Sequence, residues 1–125
     1  MATAEKPRLV VIVDDDELIR KALDGLMKAA GFSALAFASA EELLNSGELQ
    51  NTACLIADIR MPGMSGLELQ SKLNEGRYRI PIIFITGQGD EKMRMQALRA
   101  GAVEFLAKPF DNDVLIDSVR AALDS

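Results

Sequence analysis

Five short runs of aliphatic and β-branched residues, Leu9–Val13, Ser33–Ala38, Ala53–Ala57, Ile82–Ile85 and Val103–Leu106, recur along this chain. Longer stretches of helical periodicity separate them, at the spacing of βα units. After the first run, Leu18, Ile19, Ala22, Leu23, Leu26 and Met27 fall on one helical face before Gly31 ends the helix. Ser39 caps a second helix running to about Ser46, with Glu41 and Glu42 in its favoured first turn. Helices over 65–75, 91–100 and 111–123 complete five βα units. The continuous apolarity of the runs predicts strands buried on both faces. Short connections and right-handed crossovers then give an open, doubly wound parallel sheet of five strands, helices on both faces.

The 125 residues suit one domain over 1–125, with residues 1–7 expected to be flexible. A chain of this length buries roughly two thirds of its unfolded surface without disulfides or metals for support. Its 49% hydrophobic and 26% charged residues are those of a globular domain. A net charge of −5 disfavours direct binding to nucleic acid. Cys54 is the lone cysteine and histidine is absent, so neither an internal disulfide nor a Cys/His metal site is open to the chain. The first apolar run is too short for a signal core or a membrane span, which makes the cytoplasm the expected compartment.

In open parallel sheets, ligands bind outside the carboxyl ends of the strands, at a topological switch point. Asp14 and Asp15, Asp58, Thr86 and Lys108 each stand at such an end, so five polar groups are expected to converge. Three carboxylates crowded together repel one another, and a hard divalent cation with oxygen ligands resolves that repulsion; Mg²⁺ is the expected one. A carboxylate attacking phosphorus gives an acyl phosphate and needs no base to deprotonate it, a role suited to Asp58. Lys108 and Thr86 would then supply donors to the transferring phosphoryl oxygens. Read singly, each residue has a plainer explanation. Asp16, before Glu17, is as well explained by a helix N-cap as by a site, Thr86 by a turn, Lys108 by a surface lysine, and Phe105 by plain core. Cys54 reads as a small hydrophobe.

The stretches Val10-Val-Ile-Val-Asp14-Asp15, Leu55-Ile-Ala-Asp58, Met61-Pro62-Gly63-Met-Ser-Gly66, Thr86-Gly87 and Lys108-Pro109-Phe110 stand together in one order and spacing. In that arrangement the chain resembles a receiver domain of two-component response regulators over nearly its full length. The 84–90 and 108–113 stretches are most similar to nitrogen-fixation-type regulators, whose receivers precede a DNA-binding helix-turn-helix. The resemblance implies a flavodoxin-like fold and Mg²⁺ held by Asp15, Asp58 and the backbone carbonyl of Arg60, with Asp14 acting through water. It implies phosphorylation of Asp58 by a sensor histidine kinase or phosphotransfer protein, with Lys108 and Thr86 binding the phosphoryl group. Thr86 and Phe105 would form the switch, and Lys108–Pro109 a cis peptide. Arg60 and Gln88 would flank the attacking water. The 91–123 face would meet an output domain, an effector or a second copy in a phosphorylation-dependent homodimer, and no membrane. The domain would be a phosphoacceptor with weak autophosphatase chemistry, not a metabolic enzyme, and either excised from a longer regulator or stand-alone. The alternative is a haloacid-dehalogenase-like phosphatase using Asp14, whose Asp14-Asp15-Asp16 motif fits while a second acid is missing near Arg94 and Met95.

Overall fold

The computed structural model describes residues 9–87 and 91–124. Five parallel strands, β1 (Leu9–Val13), β2 (Ser33–Phe37), β3 (Thr52–Asp58), β4 (Ile82–Thr86) and β5 (Glu104–Ala107), lie in the order β2-β1-β3-β4-β5. The helices are α1 (Glu17–Ala29), α2 (Ala40–Asn45), α3 (Gly66–Glu75), α4 (Glu91–Arg99) and α5 (Asn112–Asp124). Successive side chains of a strand point to opposite faces, and the central strands divide their apolar residues accordingly. Val10, Ile12, Cys54, Ile56, Ile83 and Ile85 pack with Leu23 and Met27 of α1 and Leu115 and Val119 of α5. Val11, Val13, Leu55, Ala57 and Phe84 pack on the other side with Leu43 of α2, Leu69 and Leu73 of α3, and Ala97 of α4. The sheet is thus covered on both faces, as the apolar runs predict. The chain leaves β1 toward one edge for β2 and returns past β1 to β3, placing the switch point between β1 and β3.

Several expectations are corrected in detail. Leu18 is 78% exposed and Ala22 is exposed, so the core face of α1 rests on Leu23 and Met27, with Ile19 and Leu26 half-buried. The first turn of α1 is fixed instead by Asp16, whose carboxylate accepts from the Leu18 and Ile19 N–H groups and settles that residue as an N-cap. β2 and β5 are edge strands and not buried on both faces; Leu35 stays exposed, and no residue of β5 is fully buried. β5 begins at Glu104, one residue later than the apolar run, because Val103 is exposed and belongs to the turn after Gly101, whose φ is 106°. β3 extends to Thr52 and Asp58 and is preceded by a 3₁₀ turn, Leu49–Asn51, which no apolar period announces.

Candidate acidic site at the sheet edge

Asp14 follows β1, Asp58 ends β3, Thr86 ends β4, and Lys108 follows β5, so the parallel register delivers all four to one edge. The Lys108 ammonium stands between two carboxylates, with Nζ 3.2 Å from Asp14 Oδ2 and 3.4 Å from Asp58 Oδ2. Asp14 is fully buried, the Asp58 side chain is 10% exposed and that of Lys108 is 21% exposed. The remaining oxygens are held by backbone donors. The Asp16 N–H donates to Asp14 Oδ1 at 2.9 Å, and the Arg60 N–H donates to Asp58 Oδ1 at 3.3 Å. Asp15 is exposed, yet one carboxylate oxygen from each of Asp14, Asp15 and Asp58 lies within 4.8 Å of the others. Three of the predicted groups therefore meet as an acidic cluster, and Lys108 closes it on one side.

Burial, and then the negative charge of Asp14, push the Asp58 carboxyl above its ordinary range against the opposing pull of Lys108. Burial alone would lower the Lys108 ammonium, but Asp14 and then Asp58 outweigh it and raise its proton affinity. Both directions report the same imbalance: two buried carboxylates share one cation, with a third carboxylate nearby. An all-oxygen cluster with excess negative charge suits a hard divalent cation, so the donor set fits Mg²⁺.

Thr86 is buried, and its carbonyl accepts the Lys108 N–H at 2.7 Å, which ties the lysine's backbone to the end of β4. The Lys108–Pro109 peptide is cis, as the resemblance implies. Phe105 is half-buried, and its ring lies 6.5 Å from that of Phe84 at 54°, on the face of the sheet that packs α3 and α4. The Arg60 side chain runs toward α4, where Nη2 approaches Met93 Sδ at 3.9 Å. Gln88 lies outside the described residues.

Two supports were not foreseen from the sequence. Arg20 of α1 donates from Nη1 to the Asp14 main-chain carbonyl at 2.9 Å, fastening the β1–α1 turn to its helix. No signal singled it out, since one arginine on an amphipathic helix reads as a solvated face. The loop after Asp58 is gripped from α2: Glu41 Oε2 accepts the Met64 N–H at 3.1 Å beside Gly63, whose φ is 75°. A capping box between Ser65 and Glu68 then starts α3, and the Gly66 N–H donates to the Ile59 carbonyl at 2.8 Å.

A five-stranded parallel α/β domain with buried carboxylates and a lysine at its switch point is a flavodoxin-like domain with an acidic ligand site. Residues 10–120 match the response regulator receiver domain family, and the chain belongs to it. It is 44% identical over 119 residues to nodulation protein W of Bradyrhizobium diazoefficiens, covering 95% of this chain and 52% of that protein. It is 43% identical over 120 residues to the response regulator protein TodT of Pseudomonas putida, covering 96% and 53%. The chain thus spans about half the length of these relatives. Among solved structures, FixJ-N superposes with a TM-score of 0.86 at 40% identity, covering 96% of both chains. The chain is a receiver domain of two-component response regulators, and this membership decides against the dehalogenase-like phosphatase, whose nucleophile would be the fully buried Asp14.

Proposed function

We propose that this receiver, taken as one domain over 1–125, accepts a phosphoryl group on Asp58 from a phosphohistidine of a sensor kinase or phosphotransfer protein. The observation that carries this is the Lys108 ammonium placed between Asp14 and Asp58, with Asp15 completing an oxygen cluster beside it. An Asp58 carboxylate oxygen attacks phosphorus, a P–O bond forms, and the P–N bond breaks to release the imidazole. Asp58 needs no general base, which is consistent with a site that holds no histidine. Asp15, Asp58 and the Arg60 carbonyl, with Asp14 through water, are the groups that would hold Mg²⁺, which when bound supplies charge neutralisation for the transferring oxygens. Lys108 neutralises the same oxygens from the other side, and the Thr86 hydroxyl donates to them. Slow attack of water on the acyl phosphate returns Asp58 and inorganic phosphate, a weak autophosphatase activity.

Drawing Thr86 toward the new oxygens vacates space beside Phe84 and lets Phe105 turn inward, so that the face formed by 91–123 differs between states. That face meets an output domain, an effector or a second copy of this chain, in a cytoplasmic signalling pathway. The half-length match to the transcriptional regulatory protein FixJ of Azorhizobium caulinodans, of which the chain covers 54%, favours a DNA-binding output outside this sequence. Among the described residues no helix is long and apolar enough to cross a membrane.

Incubation with acetyl phosphate and Mg²⁺, read by intact mass, tests the assignment. The wild type gains one phosphoryl group and Asp58→Asn gains none while unfolding as cooperatively as the wild type. Wild-type labelling of Asp58→Asn would transfer the nucleophile to another carboxylate, Asp14 first.

A further inference from the structure

Two adjacent glutamates open α2, and their side chains run to different places. Glu42 stays local: its N–H donates to Ser39 Oγ at 3.1 Å and its Oε1 accepts the Ala38 N–H at 3.2 Å, which closes the first turn on itself. Ala40 and Leu43, both fully buried, pin that turn to the core. Glu41 instead reaches 23 residues along the chain, where its Oε2 accepts the Met64 N–H at 3.1 Å. The same oxygen lies over Gly63: a methyl added there would stand 2.6 Å from Oε2 and 3.5 Å from the carboxyl carbon, too close for Glu41 to stay in place. With its φ at 75°, Gly63 is thus suited to glycine for two independent reasons, one of backbone conformation and one of room for Glu41.

Gly63 and Met64 form the tip of a closed loop. At its base the Ile59 N–H donates to the Ile85 carbonyl at 3.3 Å and the Gly66 N–H to the Ile59 carbonyl at 2.8 Å, so both ends of 60–65 are fixed to the sheet. Arg60 lies in the first limb, and its N–H donates to Asp58 Oδ1 at 3.3 Å. A loop held at its base alone can tilt, and a tilt moves Arg60 against Asp58; a further attachment at the tip removes that freedom. From this geometry we infer that Glu41 is a positioning residue for the reaction at Asp58. Its carboxylate braces the 60–65 loop from α2 and so sets the Arg60 backbone, both the N–H that orients Asp58 and the carbonyl that would hold Mg²⁺. The inference rests on the receiver reading for the roles of Asp58 and Mg²⁺, whereas the brace itself belongs to the unphosphorylated chain. Because the bond is exposed, water replaces it when it breaks, so it contributes little to global stability and its effect falls on the placement of Arg60.

Backbone amide exchange by NMR and Mg²⁺ titration of the full chain, neither of which needs phosphorylation, test the brace. Glu41→Ala should speed exchange of the Met64 amide by about 2- to 10-fold and weaken Mg²⁺ binding by a similar factor, the loss of one net hydrogen bond, while the chain unfolds as cooperatively as the wild type. Glu41→Gln keeps an oxygen acceptor without the charge and should stay within about twofold of the wild type in both readouts. Gly63→Ala should displace the Glu41 carboxylate, the far end of an exposed side chain, so its effect on Mg²⁺ binding should shrink in the Glu41→Ala background. Labelling by acetyl phosphate at limiting Mg²⁺ should follow the same order. Unchanged Met64 exchange in Glu41→Ala would overturn the brace, and a Glu41→Gln protein as impaired as Glu41→Ala would overturn it by assigning the effect to charge alone. Faster Met64 exchange with wild-type Mg²⁺ binding and labelling would sink the positioning role. Absence of labelling in the wild type would instead sink the receiver reading, and the amide comparison would still decide the brace.

Discussion

Gly66 opens α3 immediately beside the end of β3, and an alanine there tests how closely the strand that ends in Asp58 is packed. Its φ is not in the left-handed region, so alanine is conformationally allowed and would by itself favour the helix by at most about 1 kcal/mol. The added methyl, however, would collide with the Asp58 carbonyl oxygen. It would also lie 3.0 Å from Ile59 Cα and 3.1 Å from Phe84 Cε1. Two of these three obstacles are backbone, and the third is a fully buried ring, so none can swing aside. Overpacking of this kind costs about 1–3 kcal/mol, which exceeds the helix gain and makes the substitution destabilising. For a domain of this size each kcal/mol lowers the melting temperature by roughly 3–5 °C.

The same collision has a functional reading. Relief requires the end of β3 to move away from α3, carrying Asp58 with it, and a displacement of roughly 1 Å at a reacting atom costs about 100-fold in rate. Gly66→Ala should therefore melt lower than the wild type and label with acetyl phosphate about 10- to 100-fold more slowly. Gly25→Ala is the control: nothing lies within 4 Å of its new methyl, and an exposed helical site should gain about 0.5–1 kcal/mol with unchanged labelling. Scanning calorimetry and time-resolved intact mass measure both quantities. A Gly66→Ala protein that melts at or above the wild type and labels at the same rate would refute the reasoning.

Arg60→Asn should hasten loss of phosphate from Asp58, since the long side chain between the site and Met93 shields the acyl phosphate; identical decay curves would show that it points away. Asp15→Asn should weaken Mg²⁺ binding while raising the melting temperature of the unliganded protein, because one of three crowded charges is gone; titration calorimetry with Mg²⁺ beside thermal melts reads the two opposite signs. Burial pushes the Cys54 thiol up to about 12 from 9.0, so between those values only the unfolded chain loses the proton. Wild-type stability should then fall by about 1.4 kcal/mol per pH unit more steeply than that of Cys54→Ala above pH ~9, in urea denaturation at stepped pH; parallel slopes would contradict the burial.

The strands and their polar ends were legible because two signals coincide there. An aliphatic run of four or five residues needs a sheet to bury both its faces, and the residue after it must be where a parallel sheet opens to ligand. Asp14, Asp58, Thr86 and Lys108 could thus be placed together although up to 94 positions separate a contacting pair. Leu18 misled for the complementary reason. Its helical spacing from Ala22 and Leu26 is sound, but spacing says nothing about where a helix overhangs the sheet beneath it, and the first turn of α1 projects beyond the core. The 3₁₀ turn at Leu49–Asn51 is held by local bonds, such as the Thr52 hydroxyl donating to the Glu48 carbonyl at 2.8 Å, which leave no apolar period to read.

Gln70 is the more instructive omission, because its signal was present. It occupies the buried row of α3 with Gly66, Leu69 and Leu73, where a polar side chain must find a partner or forfeit the free energy of its lost water contacts. Nothing in the α3 sequence names that partner. The acceptor lies 27 residues on, at a carbonyl whose identity is invisible in any side-chain pattern, since every residue carries one. A polar residue in an apolar row therefore states that a contact exists, and the fold alone says with what. In this chain the contact falls at the carboxyl end of α4, so the residue that breaks the hydrophobic pattern of α3 is also one that ties α3 to its neighbour.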